Sequence, residues 1–149
     1  MLPALKPVLC FADISKTAAA TATGMIDTLG YDFLQLTLAE ATTNVVSNKP
    51  TVLKLTESDT TNLTDAAAIV AFTGGTALSA TVGFVIATGN TSVTTLTTLN
   101  VDLRGRKRYI FLSDSPATTQ IVGAWGVLGR GEIQPVTAAG AGVKQLIEG

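Results

Sequence analysis

Apolar and polar residues alternate in short runs along this chain, and turn-forming residues separate the runs. In residues 32–39 the alternation is strict, with Leu34, Leu36 and Leu38 on one face and the residues between them on the other. A period of two residues is typical of a β-strand whose two faces meet different surroundings. Residues 51–58 repeat the pattern, and we therefore predict a strand in each of these two segments.

The same pattern, bounded by Gly, Asn and Asp residues, predicts further strands in residues 5–12, 19–27, 81–87, 93–103, 106–112 and 118–130. Residues 66–72 leave two interpretations open, which are a short helix capped by Asn62, Thr64 or Asp65, and a strand that ends at residues 73–75. Eight or nine strands in one domain predict two packed sheets or a closed barrel, and a jelly roll fits the count best.

The length of 149 residues is that of one domain. We predict a single all-β domain, a jelly-roll-like antiparallel β-sandwich, over residues 1–135, beginning with an N-terminal strand or arm. The Ala- and Gly-rich residues 136–149 predict a flexible C-terminal tail, or an arm that becomes ordered on a partner. Gly123, Gly126 and Gly129 indicate bulges or the close approach of another backbone, and Trp125 among them is expected to pack in the core.

Charged residues are scarce, at 14%, and residues 66–101 contain none. Monomeric β proteins usually protect their edge strands with Lys, Pro or inward-pointing charges. Because residues 66–101 lack these devices, we expect subunit contacts to cover the edges, as in a homo-oligomer such as a dimer or a trimer. No apolar run reaches the roughly 18 to 20 residues of a spanning helix. The first residues lack a signal-peptide core, and we therefore expect no membrane association and synthesis in the cytoplasm.

The chemistry needed for catalysis is mostly missing. The chain has no histidine and a single cysteine, Cys10, which excludes nucleophile–histidine arrangements and the usual zinc sites. Paired carboxylates remain, but turns explain the acidic residues equally well. Residues 57–65 carry acidic and amide side chains that could bind calcium, and an Asx-rich turn is the favoured interpretation. We predict a protein that is not an enzyme, with no cofactor and no metal site, and with Cys10 as a buried apolar residue.

One basic cluster stands out, formed by Arg104, Arg106, Lys107 and Arg108. The conservative interpretation is a solvated hairpin turn. The functional hypothesis is a charged anchor at a sheet margin, to which a partner subunit supplies carboxylates, because the planar fork of Arg binds them in bidentate fashion. Alternation would place Arg106 and Arg108 on the face of Ile110. With a net charge of −1 and few aromatic residues, the chain is not expected to bind nucleic acid directly.

Four segments in this order carry a family resemblance: residues 26–33, residues 53–59, the string Val101-Asp-Leu-Arg-Gly-Arg-Lys-Arg-Tyr109, and residues 124–130. Over residues 25–136 the chain resembles the small virion structural proteins of tailed bacteriophages that serve as capsid decoration, or cement, proteins. The basic string is the most specific part of the resemblance.

The resemblance implies a jelly-roll-like fold, a location on the capsid surface of the virion, and the major capsid protein as partner. It implies no catalytic residues. Two other functions stay open, which are a carbohydrate-binding or host-recognition module on the virion and a structural component of the tail or connector.

Overall fold

The computed structural model describes residues 5–18, 20–41, 50–72, 94–129 and 145–148, and these ranges form nine β-strands. The strands are β1 (Leu5–Lys16), β2 (Ala22–Asp27), β3 (Phe33–Glu40), β4 (Val52–Ser58), β5 (Ala67–Ala68), β6 (Thr95–Asp102), β7 (Tyr109–Ser115), β8 (Gln120–Gly129) and β9 (Gln145–Glu148).

The strands form two sheets whose order is that of a jelly roll. The larger sheet has the order β1-β8-β3-β6-β9 and the smaller one β2-β7-β4-β5. β1 pairs with β8, β2 with β7, β3 with β6 and β4 with β5, always antiparallel. Nested pairs of this kind arise when one long antiparallel ribbon is rolled into two facing sheets. The predicted all-β jelly-roll sandwich is confirmed.

The ninth strand extends the larger sheet. β9 lies parallel to β6, with Thr97 opposite Gln145 and Asn100 opposite Glu148. Of residues 136–149, which the sequence predicts to be a flexible tail, the structure describes only these four, and they add a strand beside β6.

The core lies where the inward-facing positions of the two sheets meet. In β3 every second residue is buried, and Leu34, Leu36 and Leu38 have no exposed surface, as the alternation predicts. β4 buries Leu53 and Leu55 in the same way. Each such leucine contributes on the order of 1.5 to 3 kcal/mol through burial. The largest fully buried side chains are Phe72, Leu34, Leu36, Leu38, Leu53, Leu55, Ile69, Leu99, Ile110, Leu112 and Leu128.

The two ends of the sandwich differ in chemistry. At the end that we call the ionic end, β2 leads into β3, β6 leads into β7, and Phe33 lies between Asp102 and Gly129. At the opposite end, which we call the carboxylate end, Glu40 closes β3 beside Thr95. The register therefore places the basic cluster at one end and a buried glutamate at the other.

Residues 66–72 form neither a normal helix nor a full strand. A one-turn 3₁₀ helix, Leu63–Asp65, is capped by Asn62, whose side chain accepts a hydrogen bond from the Thr64 amide. β5 follows with two residues, and a second 3₁₀ turn, Val70–Phe72, comes next. Asn62 therefore caps a turn at residues 63–65 and not a helix over residues 66–72, and neither proposed element forms over that segment. The predicted strand 81–87 lies outside the described residues.

The edge strands differ from the prediction for residues 66–101. β5 is an edge strand of only two residues, and β6 lies inside the larger sheet between β3 and β9. The long edge strand is β1, which carries Pro7 and register irregularities on both sides of Phe11. Short edges, proline and bulges all protect a sheet against further pairing. The expected homo-oligomer stays a prediction.

Candidate protein-interaction site

The basic loop, residues 104–108, connects the two sheets and is not a hairpin. It leads from β6 in the larger sheet to β7 in the smaller one. Gly105 has a φ of 78°, and the Arg106 amide donates to the Leu103 carbonyl at 3.0 Å, which closes the turn. Because β7 begins only at Tyr109, the predicted strand start at residue 106 and the alternation of Arg106 with Ile110 are wrong.

Two arginines of the loop form bidentate pairs with aspartates of the same chain. Arg104 donates to Asp102 from Nε at 2.9 Å and from Nη2 at 2.7 Å. Arg108 holds Asp27 in the same fashion at 2.9 and 2.7 Å, and its guanidinium lies 4.9 Å from the centre of the Tyr109 ring. Planar forks of this kind are the strongest geometry that an arginine and a carboxylate can adopt.

The other two basic residues contact the end of β4 and the residue that follows it. Arg106 Nη1 lies 3.8 Å from Glu57 Oε1, and the Lys107 amide donates to Glu57 Oε2 at 3.2 Å. Lys107 Nζ lies 3.9 Å from Asp59 Oδ2. Each of the four basic side chains therefore has a carboxylate partner within the chain.

These contacts change the electrostatics of the loop. Hydrogen bonds from Arg108 lower the pKa of Asp27 to about 2, and hydrogen bonds from Arg104 lower the pKa of Asp102 to about 2. All four carboxylates of the pairs offset the positive charge of the loop. The hypothesis that a partner subunit supplies carboxylates stays a prediction, and any such partner must compete with the chain's own acids. Arg104 is the best placed for this, since its side chain is 77% exposed.

A second surface, which the sequence did not single out, is apolar. The apolar face consists of Leu5, Leu9, Ile121 and Trp125, which are 61%, 64%, 53% and 42% exposed. Leu9 lies opposite Trp125 in the β1–β8 pair, and the buried Val122 and Ala124 alternate with the exposed residues of β8. The side chains therefore project from the outer face of the larger sheet.

The expectation that Trp125 packs in the core is wrong. The period of the strand was sufficient to predict the exposure of Trp125. Ile121, Trp125 and Val127 share one face of β8, and the other face carries Val122 and Ala124. On the inner face, Gly126 leaves room for the backbone of the neighbouring strand, which approaches closely at this point. A Cβ on Gly126 would lie 2.8 Å from the Gln35 carbonyl oxygen, which confirms the predicted close approach of another backbone.

A polar groove of about 370 Å³ lies on the outer face of the smaller sheet. Its lining includes hydroxyl and ammonium groups, which belong to Thr21, Thr23, Lys54 and Ser113. The Thr23 and Ser113 hydroxyls lie 3.3 Å apart. Such a lining can hydrogen-bond a polyol, but none of the described residues that line it is aromatic.

The remaining candidates have structural roles in the described part of the chain. Cys10 is partly buried, and burial raises the pKa of its thiol to about 12. In residues 57–65, Glu57 and Asp59 face the basic loop, and Asp65 accepts a hydrogen bond from Thr60, so the Asx-rich turn is confirmed. The described residues contain no group of three or more His, Cys, Asp or Glu side chains suited to a metal. No described helix has the length and apolarity to cross a membrane.

Comparison with known proteins adds no relative. No protein-family model, no curated protein and no solved structure matches this chain.

Proposed function

We propose that this protein is a non-enzymatic decoration, or cement, protein of a tailed-bacteriophage capsid, which binds the lattice of the major capsid protein and stabilises it. The apolar face of β1 and β8 carries the proposal, because its four large side chains are between 42% and 64% exposed. The jelly roll agrees with it, since viral capsid domains commonly use this fold. The resemblance of residues 25–136 supplies the kind of partner.

The composition of the apolar face suits a protein–protein interface. Tryptophan is among the residues that contribute most to binding energy, and a flat β-surface positions Trp125 and Leu9 side by side. Large apolar side chains that stay exposed on one face of a sheet are unfavourable for a monomer. Docking on a lattice would remove these side chains from water, and many copies on one particle would add avidity.

The basic loop would take part as a polar rim at most. Its four cations already have carboxylate partners, and rim charges mainly affect the association rate and the salt dependence. We therefore propose that the basic loop contributes less to binding than the apolar face does. Its proposed contacts are Arg104, Arg106, Lys107 and Arg108, of which Arg104 is the most exposed.

The first test measures binding of the purified protein to capsids that lack it, by co-sedimentation and by cryo-electron microscopy of the decorated particles. Leu9→Ser combined with Trp125→Ser should weaken binding about 30-fold or more, since both are central apolar contacts. Leu29→Ser is the matched control, because Leu29 is 67% exposed but lies at the ionic end. Its binding should equal that of the wild type.

Arg104→Gln belongs to the same experiment and tests the rim. Neutralisation is preferable to charge reversal, because a glutamate at position 106 or 108 would face Glu57 or Asp27 and disturb the fold. We expect a smaller loss than for the apolar variant, with a weaker salt dependence. Full occupancy of the capsid by the Leu9/Trp125 variant would refute the apolar face as the capsid contact.

A carbohydrate-binding module is the second candidate, and the exposure of Trp125 favours it. An exposed indole offers a flat surface on which a sugar ring can stack, and lectin domains also use jelly rolls. Binding of the wild type to a glycan array, lost in Trp125→Ser and kept in Leu29→Ser, would support this function over capsid binding.

A further inference from the structure

The carboxylate end contains a polar layer inside the sandwich. Glu40 and Asp114 have no exposed surface, and Thr95 and Gln120 are 5% and 4% exposed. Each occupies an inward-facing position, since Glu40 continues the row of Leu34, Leu36 and Leu38 in β3. The four residues come from β3, β6, β7 and β8, and so from both sheets. We call them the carboxylate cluster.

The members of the carboxylate cluster are neighbours. Glu40 lies opposite Thr95 in the β3–β6 register. Gln120 Nε2 donates to Glu40 Oε1 at 3.3 Å. Asp114 continues the inward-facing row of Ile110 and Leu112 in β7 towards the same end of the sandwich. Two carboxyl groups from opposite sheets therefore share one water-poor region at the end of the core.

Hydrogen bonding in the carboxylate cluster is incomplete. Within the described residues, neither carboxylate oxygen of Asp114 has a hydrogen-bond partner, and the buried Thr95 hydroxyl also lacks one. Buried polar atoms almost always have partners, and each one without a partner costs about 1 to 3 kcal/mol. The Thr118 hydroxyl, in the connection from β7 to β8, is also without a hydrogen-bond partner among the described residues. Oxygen atoms of this kind are suitable ligands for a cation.

The burial of both carboxyl groups favours a positively charged ligand. Glu40 and Asp114 both have no exposed surface. Two buried carboxylates repel each other, and a positive ion between them removes both the repulsion and the cost of burial.

We propose that Glu40 and Asp114 bind a divalent metal cation, with the Thr95 hydroxyl and the Gln120 amide oxygen as further ligands. The donors are all oxygens, which is the chemistry that Ca²⁺ prefers over transition metals, and Ca²⁺ accepts six to eight of them in flexible geometry. Water or backbone carbonyls would complete the shell. The site is independent of the proposed capsid contact, which lies on the outer face of the larger sheet.

A cation at this position would connect the two sheets. Glu40 and Thr95 belong to the larger sheet and Asp114 to the smaller one, so a bound ion bridges β3 and β6 to β7. Because the apo cluster leaves oxygens without partners and the bound cluster satisfies them, the ion binds the folded chain far better than the unfolded one. Folding stability then increases with the ion concentration.

The test uses the full chain, freed of metal with a chelator, near pH 8. Thermal unfolding is followed with and without about 1 mM CaCl₂, and the binding isotherm is measured by calorimetry with CaCl₂ and, separately, MgCl₂. At a hundredfold excess of Ca²⁺ over Kd the melting temperature should rise by roughly 5 to 10 °C. Glu40→Gln and Asp114→Asn should each weaken Ca²⁺ binding by about a hundredfold or more and therefore remove most of this rise.

The variant Thr95→Val distinguishes metal binding by the carboxylate cluster from a purely structural role of the cluster. The change removes a buried hydroxyl that has no partner, so the metal-free variant should be at least as stable as the wild type. Its affinity for Ca²⁺ should nevertheless fall several-fold. Glu57→Gln, at the ionic end, is the matched acidic control and should keep the full response to Ca²⁺.

Three results would overturn the proposal. The first is that the wild type has the same melting temperature in chelator, CaCl₂ and MgCl₂ and shows no heat of binding. The two carboxyl groups would then share a proton instead of a metal ion. Another is a Ca²⁺ response that survives Asp114→Asn. The third is an unchanged affinity in Thr95→Val together with a loss in Glu57→Gln, which would place the ion at the ionic end.

Discussion

At the scale of single residues, two glycines have different reasons to be glycine. Gly105 has a φ of 78° with open space around the position of a Cβ, so its requirement is conformational only. Gly126 lies in a strand, and its requirement is steric, since a Cβ would lie 2.8 Å from the Gln35 carbonyl and 3.0 Å from Leu34 Cδ1. Gly105 is therefore required for the backbone dihedral angle of the basic loop, and Gly126 is required for the short distance between β8 and the neighbouring strand.

Substitution by alanine should distinguish these two requirements. Gly105→Ala should lower the free energy of unfolding by about 1 kcal/mol, the cost of the left-handed region for an ordinary residue. Gly126→Ala should lower it more, by roughly 2 to 3 kcal/mol, because two packed strands must separate. Urea unfolding measures both. Gly105→Asn, whose side chain tolerates positive φ, should recover part of the loss, and equal losses in the two alanine variants would contradict this assignment.

At the scale of elements, ion pairs attach the basic loop to the strands around it. The pair Arg108–Asp27 joins the start of β7 to the end of β2, and Thr28 donates to the Arg108 carbonyl at 2.6 Å in the same region. Arg104–Asp102 stabilises the turn after β6. Both pairs are accessible to solvent, so their contribution is modest and depends on salt.

These pairs predict a loss of stability in acid. The pKa of Asp27 in the folded chain is lowered to about 2, below the value of about 3.9 in an unfolded chain. The folded state therefore binds fewer protons in this window, and the stabilisation is complete above about pH 4 and disappears as the pH falls towards 2. In a double-mutant cycle of Asp27→Asn and Arg108→Gln, the coupling should vanish near pH 2 and shrink in about 1 M NaCl. A coupling that does not change with pH would contradict the charged pair.

At the scale of the whole molecule, the jelly roll holds β1 between β8 of the larger sheet and β2 of the smaller one. β1 pairs with β8 in the larger sheet and packs against β2 of the smaller one. Cys10 marks this contact, because a Cβ on Gly24 would collide with its backbone and its sulfur. The thiol thus reports whether the edge of the sandwich is closed.

The rate of thiol labelling should follow this closure. With the pKa of Cys10 raised to about 12, labelling by an alkylating reagent near pH 8 should be on the order of a thousandfold slower in the native protein than in denaturant. Labelling should accelerate only with global unfolding, as followed by circular dichroism. Rapid labelling of a protein that is otherwise native would mean that β1 opens independently of the rest.

The strand period predicted β3 and β4 well, because each buries one face against an apolar core and the sequence records that burial directly. The period failed at the ends of strands. Residue 106 was predicted to lie in β7, but Asp27, Glu57 and Asp59, which are far away in sequence, hold the basic side chains in a loop. Only the folding of the ribbon brings these acids together.

The sequence by itself determined the fold class and the strands of the core, because the alternation of apolar and polar residues is a local property. The tertiary structure decided the partners of the charges, the exposure of Trp125 and the meeting of Glu40 with Asp114. Each of these depends on which strands become neighbours, and 74 residues separate the two carboxylates along the chain. Strand pairing depends on contacts between residues that are far apart in the sequence, so no local pattern could reveal the carboxylate cluster.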